Sequence, residues 1–517
     1  MIRCGRLRIR PELRQSFDWI TSIPNPVTGL HMRTAFVSLI LTFTACGFAP
    51  AQSTPPALQP STQPATIDFA TIAERERKQL ESMLAADDWP IRVFGLLRLE
   101  RYHGPGASAA ITAALKDKDW QVQVFALRQA RQIGLTVAAE DLSKELDPHV
   151  IRAALREGIA LPAETIEPAA TKLLRTKGLD ELMLGLEIAA ASDIENLRTD
   201  AAKRATRLVR SMDMTIATLV ARRLAVILNL PKTPRTPDEW RAAFAGREKD
   251  EVLPLAPAVK ARPKPSPRNL VAEMDDEAFT RLQDYLDVLK RRDLDLVIVM
   301  DATASMIPMV NQARAGIDSL ILFMNDISRA MRLGFVAYRD RDNLPVTNVH
   351  PITDDIAGIR EFLFRVPITG GADYPEAVLD GFEACLNLKW NAKAEREIIL
   401  VGDAPPHEED VYRTLAVLET FRDKQVTVNT VHVPMDYPAG HYDRLTPEEA
   451  IEARDWLVKY NDSTEESFAV MARSGGGRQT SLTQAEGLVP AIMHLTIEDA
   501  WWEVFDEFYA MYLELCR

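Results

Sequence analysis

The run Leu294-Asp295-Leu296-Val297-Ile298-Val299-Met300 constrains the fold more than any other stretch. Its apolar residues barely alternate with polar ones, which marks a strand buried on both faces, as in a parallel sheet covered by helices. Strands and helices alternate after it. Strands are expected over 331–338, 346–352, 396–402 and 426–434. Helices are expected over 307–327, 355–365, 375–388, 408–423, 464–474 and 484–513. An amphipathic helix carrying Phe279, Leu282, Leu286 and Leu289 on one face precedes the first strand. The pattern predicts an α/β fold with a doubly wound, mostly parallel sheet that binds at the carboxyl ends of its strands.

Asp301, Thr303 and Ser305 stand at such an end. A carboxylate and two hydroxyls spaced two apart form a hard, all-oxygen donor set. That set suits Mg2+ or Mn2+ rather than zinc, which prefers nitrogen and sulfur. The motif is moderately specific by itself and gains weight from three landmarks downstream.

With those landmarks, residues 290–500 resemble a von Willebrand factor A domain with a metal-ion-dependent adhesion site. Asp301, Thr303 and Ser305 match its first motif, with threonine at the more usual first serine. Asp403, after Ile398-Ile399-Leu400-Val401-Gly402, matches the carboxylate of a later strand. Gly370-Gly371-Ala372-Asp373 matches the intervening loop, where Ala372 replaces the family's usual threonine and Asp373 is the substitute candidate. The stretches Val336–Asp340, Gly371–Ala377 and Gly402–His407 narrow the likeness to the branch holding hemicentins and alpha-kinase-related proteins. The resemblance implies a binding site and not an enzyme. The hydroxyls and aspartates hold the ion, directly or through water, and an Asp or Glu of a protein partner fills an open position. His407 lies four residues after Asp403 and is expected as a backbone-bonded loop residue or as outer support for the ligands. Arg339 and Asp340, near the same rim, are expected as an ion pair or as partner contacts.

The chain is 517 residues long, too long for one core. A formal net charge of −13 argues against a dedicated nucleic-acid binder. Residues 1–51 read as a leader: arginines come first, then an uncharged apolar stretch, Ala35–Phe48, of signal-peptide length, with Met32 as an alternative start. Ala49-Pro50-Ala51 offers a cleavage site, and Phe43-Thr44-Ala45-Cys46 resembles a lipobox with Cys46 as candidate lipid anchor. Export to a periplasm or cell envelope is the expectation. A Pro/Ser/Thr-rich tether follows over 52–66.

Residues 67–248 are helical and repeat. Asp88-Trp89-Pro90-Ile91-Arg92-Val93-Phe94 returns as Asp119-Trp120-Gln121-Val122-Gln123-Val124-Phe125, and more weakly from Asp147-Pro148. Such spacing suits a two-helix solenoid unit similar to HEAT repeats, with each aspartate as a candidate helix cap. A scaffold of this kind could hold a second partner. A Pro-rich linker over 249–272 leads into 273–517. Cys385 reads as a small buried residue, and no C-x-x-C or G-x-x-x-x-G-K-[ST] motif occurs. The insertion 435–462, with Tyr437, His441, Tyr442 and Trp456, reads equally as a specificity surface or a satellite core. The aromatic final helix is expected to pack on either domain. Three rival readings are a metal-dependent hydrolase, a scaffold whose metal site is vestigial because of Ala372, and a subunit assisting an ATPase.

Overall fold

The computed structural model describes residues 67–516, apart from 212–213, 230–233, 235–236, 246–253, 259–267, 371–374, 438–439, 483 and 485–486. The expected leader, Cys46, the tether and much of the linker lie outside the described residues. The chain divides into two compact units. One is Val288–Trp502; the other joins the helical residues up to Asp287 with Glu503–Arg517.

The Val288–Trp502 unit is built on six strands: β1 (Asp293–Asp301), β2 (Ala330–Tyr338), β3 (Thr347–Thr353), β4 (Glu395–Gly402), β5 (Val426–His432) and β6 (Gly476–Ser481). Their order in the sheet is β3-β2-β1-β4-β5-β6. All neighbours pair parallel except β2 with β3. The sheet is therefore mixed and mostly parallel, with its order reversing between β1 and β4. The apolar run is β1 itself. Val297 and Val299 join a core with Val378, Phe382, Ile398, Leu400, Leu415 and Phe468. Leu296, Ile298 and Met300 alternate with them onto the opposite face and are just as buried. Asp295, the polar exception, is buried but satisfied by Arg332 at 2.6 and 2.8 Å and by the Asn391 N–H at 2.6 Å.

Helices cover both faces: Ile307–Ile327, Ile356–Arg365, Val378–Cys385, Val411–Asp423, Pro447–Ser474 and Leu488–Thr496. Two differ from expectation. The helix expected over 464–474 begins at Pro447, where Thr446 and Glu449 form a reciprocal capping box. The stretch 484–513 is two helices, Leu488–Thr496 and Trp502–Cys516, separated by a turn.

In the other unit, helices pack in neighbouring pairs: Glu74–Leu84 with Trp89–Leu99, Pro105–Ala114 with Trp120–Gln132, Ala163–Arg175 with Leu179–Ala191, Glu195–Ser211 with Met214–Ile227. The second members, with Pro148–Arg156 among them, pack against one another in a continuous row. Such a row is how solenoid units bury faces they cannot bury alone. Asp88, Asp119 and Asp147 do sit at helix N-caps, but only Asp147 bonds its own helix, accepting from the His149 N–H at 2.9 Å. Asp119 is drawn instead to Arg92 of the preceding repeat, which also pairs with Asp117 at 2.8 Å. The aromatic helix Trp502–Cys516 packs on the repeats. Phe508 lies 4.6 Å from Phe94 and 5.6 Å from Phe125, ring centre to ring centre. The segment 273–517 is thus not one packing unit, because both its ends are claimed by the helical row. Cys385 and Cys516 are both buried thiols. Among the described residues, no helix is long and apolar enough to cross a membrane.

Candidate metal centre

The strand order reverses between β1 and β4, the point beyond whose carboxyl ends open α/β sheets place their ligands. Asp301 is the last residue of β1, and Asp403 is the first residue past β4. Adjacency of the strands therefore brings together carboxylates about a hundred residues apart in sequence. Gly402 leaves room for the Tyr338 hydroxyl, which would lie 2.7 Å from a Cβ placed there.

After Asp301 the chain folds back on its own carboxylate. Asp301 Oδ1 accepts from the Thr303 N–H at 2.8 Å and from the Thr303 hydroxyl at 2.7 Å, and the Ser305 hydroxyl lies 3.2 Å from that of Thr303. Asp301 and Thr303 are fully buried, Asp403 nearly so, and Ser305 is exposed. Asp301 Oδ2 and Asp403 Oδ1 are buried, and no N–H or hydroxyl donor reaches them. Leaving such oxygens without donors is costly, and two like charges side by side add to the cost. Burial raises the Asp301 carboxyl well above the usual carboxylate range, the Asp403 charge and a carboxyl–carboxyl hydrogen bond to Asp403 raise it further, and Thr303 pulls it back. Burial raises Asp403 as well, partly opposed by the Ser305 hydroxyl beside it.

A donor set of two buried carboxylate oxygens and two hydroxyls fits a small, hard divalent cation, Mg2+ or Mn2+. Among the described residues no group of three or more His, Cys, Asp or Glu gathers around a point, so hydroxyls are essential to this set. Asp373 falls in 371–374, outside the described residues. The loop entering that segment is anchored to the centre. Thr369 donates its N–H to Ala302 O at 3.2 Å, and Gly370 O accepts from the Ala304 N–H at 3.2 Å. Gly370 has φ +97°, and a Cβ on it would strike the Asn343 side chain at 2.3–2.8 Å.

The expected Arg339–Asp340 ion pair does not form. Successive residues leaving a strand project to opposite sides. Arg339 donates to the Thr369 hydroxyl at 2.9 Å and to Pro345 O at 2.6 Å. Asp340 meets His407 Nε2 at 3.0 Å and accepts from the Arg341 N–H at 2.7 Å. His407 therefore uses its ring on a carboxylate, while its carbonyl accepts from the Asp410 N–H at 2.9 Å.

Sequence reasoning missed Tyr460, whose hydroxyl donates to the Asp403 carbonyl at 3.2 Å. No local pattern marks it, because it arrives from the middle of a long helix. Its neighbour Asn461 bonds both backbone groups of Met435, at 2.9 and 3.0 Å. Met435, Leu457 and Tyr460, with Tyr437 and Trp456 against them, close a satellite core. Of the two readings of the insertion, packing accounts for these aromatics.

Residues 295–479 match the family model for the von Willebrand factor A domain. Over 117 residues, 22% of this chain, the sequence is 28% identical to alpha-protein kinase vwkA of Dictyostelium discoideum, and the match spans only 19% of that relative. Among solved structures, an aerotolerance-related membrane protein from Bacteroides fragilis aligns at 16% identity and TM-score 0.28, over 39% of this chain and 98% of that one. The SpRpn10 VWA domain aligns at 14% identity and TM-score 0.25, over 38% and 94%. The pilus adhesin SpaC from Lactobacillus rhamnosus GG aligns at 10% identity and TM-score 0.26, over 42% and 30%.

Proposed function

Residues 295–479 are a von Willebrand factor A domain, a module that commonly mediates protein–protein interaction, and from that premise we propose that the chain is an exported, non-enzymatic binding protein. It captures an acidic residue of a protein partner through a divalent cation held by Asp301, Thr303, Ser305 and Asp403. The observation that carries this reading is the pair of buried carboxylate oxygens, Asp301 Oδ2 and Asp403 Oδ1, turned towards each other at the switch point of the sheet with no N–H or hydroxyl donor on them. A bound Mg2+ or Mn2+ supplies an electropositive coordination position for the partner's carboxylate. Asp301 and Asp403 contribute two negative charges, matching a doubly charged cation. The Thr303 and Ser305 hydroxyls add neutral donors, and exposed Ser305 marks the open side. Asp373 joins directly or through water. Export, lipid attachment at Cys46 and a second partner on the helical row belong to the same proposal.

Calorimetric titration of Mg2+ and of Mn2+ into the full chain tests the reading, with Asp301→Asn alongside. Uptake near one equivalent by wild type, abolished in the variant, is expected. No uptake by wild type refutes it and leaves the scaffold with a vestigial site.

A further inference from the structure

Resting on the binding role above, we infer that Leu344 is the apolar half of a two-part recognition surface. The partner segment then carries an aliphatic or aromatic side chain within a residue or two of its acidic one.

Leu344 is 83% exposed, the most exposed of the large apolar side chains described. Single exposed leucines are ordinary on protein surfaces. What sets this one apart is where it stands and how firmly its loop is held. The loop after β2 is pinned along its length. The Arg339 N–H donates to Val346 O, and the Asn343 N–H to Asp340 O, both at 2.9 Å. The buried Arg339 guanidinium bridges Pro345 O to the Thr369 hydroxyl. Thr369 and Gly370 are themselves bonded to Ala302 and Ala304 of the ligand turn, and Asn343 packs on Gly370. An unbroken line of short contacts thus runs from the residues around Thr303 to the residue preceding Leu344.

Ile307, two residues past Ser305, is 44% exposed, and Ala304 is exposed as well. Apolar surface therefore lies beside the open hydroxyl of Ser305, next to the buried acidic pair. The divalent cation of the proposed function selects a carboxylate for the centre. The apolar rim selects an apolar neighbour for it, and a loop backbone already held in place loses little freedom on binding. Arg339 is a positioning residue here, acting through the loop it braces.

The test is selection of phage-displayed random peptides on the full chain in Mg2+, with elution by EDTA. Eluted peptides are expected to place an aliphatic or aromatic residue within two positions of Asp or Glu. Leu344→Ser is expected to weaken a selected peptide by roughly tenfold or more, as for a leucine withdrawn from an apolar contact. Ile307→Ser, two residues past Ser305, serves as a second variant. Eluted peptides without apolar neighbours, or an affinity within twofold of wild type in Leu344→Ser whatever Ile307→Ser does, overturn the inference while leaving cation-dependent capture standing. EDTA that elutes no peptide, or Asp301→Asn that binds the peptides unchanged, overturns capture itself and the inference with it.

Discussion

Asp301→Asn is expected to reverse its effect on stability between chelator and Mg2+. The substitution is nearly isosteric. Asn Oδ1 can still accept from the Thr303 N–H and hydroxyl, at 2.8 and 2.7 Å in the wild type, so the ligand turn keeps its shape. What changes is the second oxygen, buried beside Asp403 with no N–H or hydroxyl donor on it. Two like charges within hydrogen-bonding reach of one another, at an effective dielectric of ~20, repel by about 4 kcal/mol. The carboxyls relieve part of that by holding on to a proton, since both have affinities raised by burial. In EDTA the variant is therefore expected to be the more stable protein, by about 1–2 kcal/mol. With Mg2+ at a hundred times its dissociation constant, the wild type gains about 2.7 kcal/mol by mass action. For a unit of this size that is a rise of about 5–10 °C in Tm, and the variant does not move. Differential scanning calorimetry of both proteins, with and without Mg2+, reads the crossing directly. A variant less stable than wild type in EDTA would mean that the buried pair is not under repulsion. A wild type indifferent to Mg2+ would mean that these oxygens are satisfied in some other way.

Two further outcomes follow from other parts of the molecule. His432 is buried on β5, and burial lowers its imidazole to about 4, against the partial opposition of Glu465 and Asp462. The folded state keeps it neutral while the unfolded chain protonates near 6.5, so its contribution is full above pH 6.5 and is lost as pH falls towards 4. The loss approaches ~3 kcal/mol. Denaturant midpoints measured across that range are expected to fall less steeply in His432→Gln, and an unchanged slope would refute the assignment. Phe508→Ala is expected to destabilise the helical row by about 3–4 kcal/mol, because its ring sits among Phe94, Phe125 and Trp89. A midpoint shift below ~1 kcal/mol would show that the aromatic helix is not part of that core.

Local pattern in this chain reports local structure faithfully. The continuous apolar run could only be an interior strand, since a strand with one wet face would have alternated, and β1 is buried along nearly its whole length. The repeated Asp-Trp segments announced stacked helices for a similar reason, apolar residues returning at helical spacing where a neighbour must cover them. The helix start Thr446-Pro447-Glu448-Glu449 was legible too, being a capping box with proline at the first turn.

The sequence by itself determined the alternation of elements, the buried strand, the helical repeats and the oxygen-rich turn at Asp301, because each is specified by residues within a turn or two of one another. Only the tertiary structure decided which distant groups meet. Asp403 reaches Asp301 because β4 lies beside β1. Tyr460 reaches the Asp403 carbonyl across 57 residues. Arg339 braces the Leu344 loop instead of pairing with the carboxylate next to it. The aromatic helix leaves the α/β unit to close the repeats. These pairings are set by strand order and by the competition of buried surfaces for the same apolar faces, and that competition is resolved over the whole chain at once.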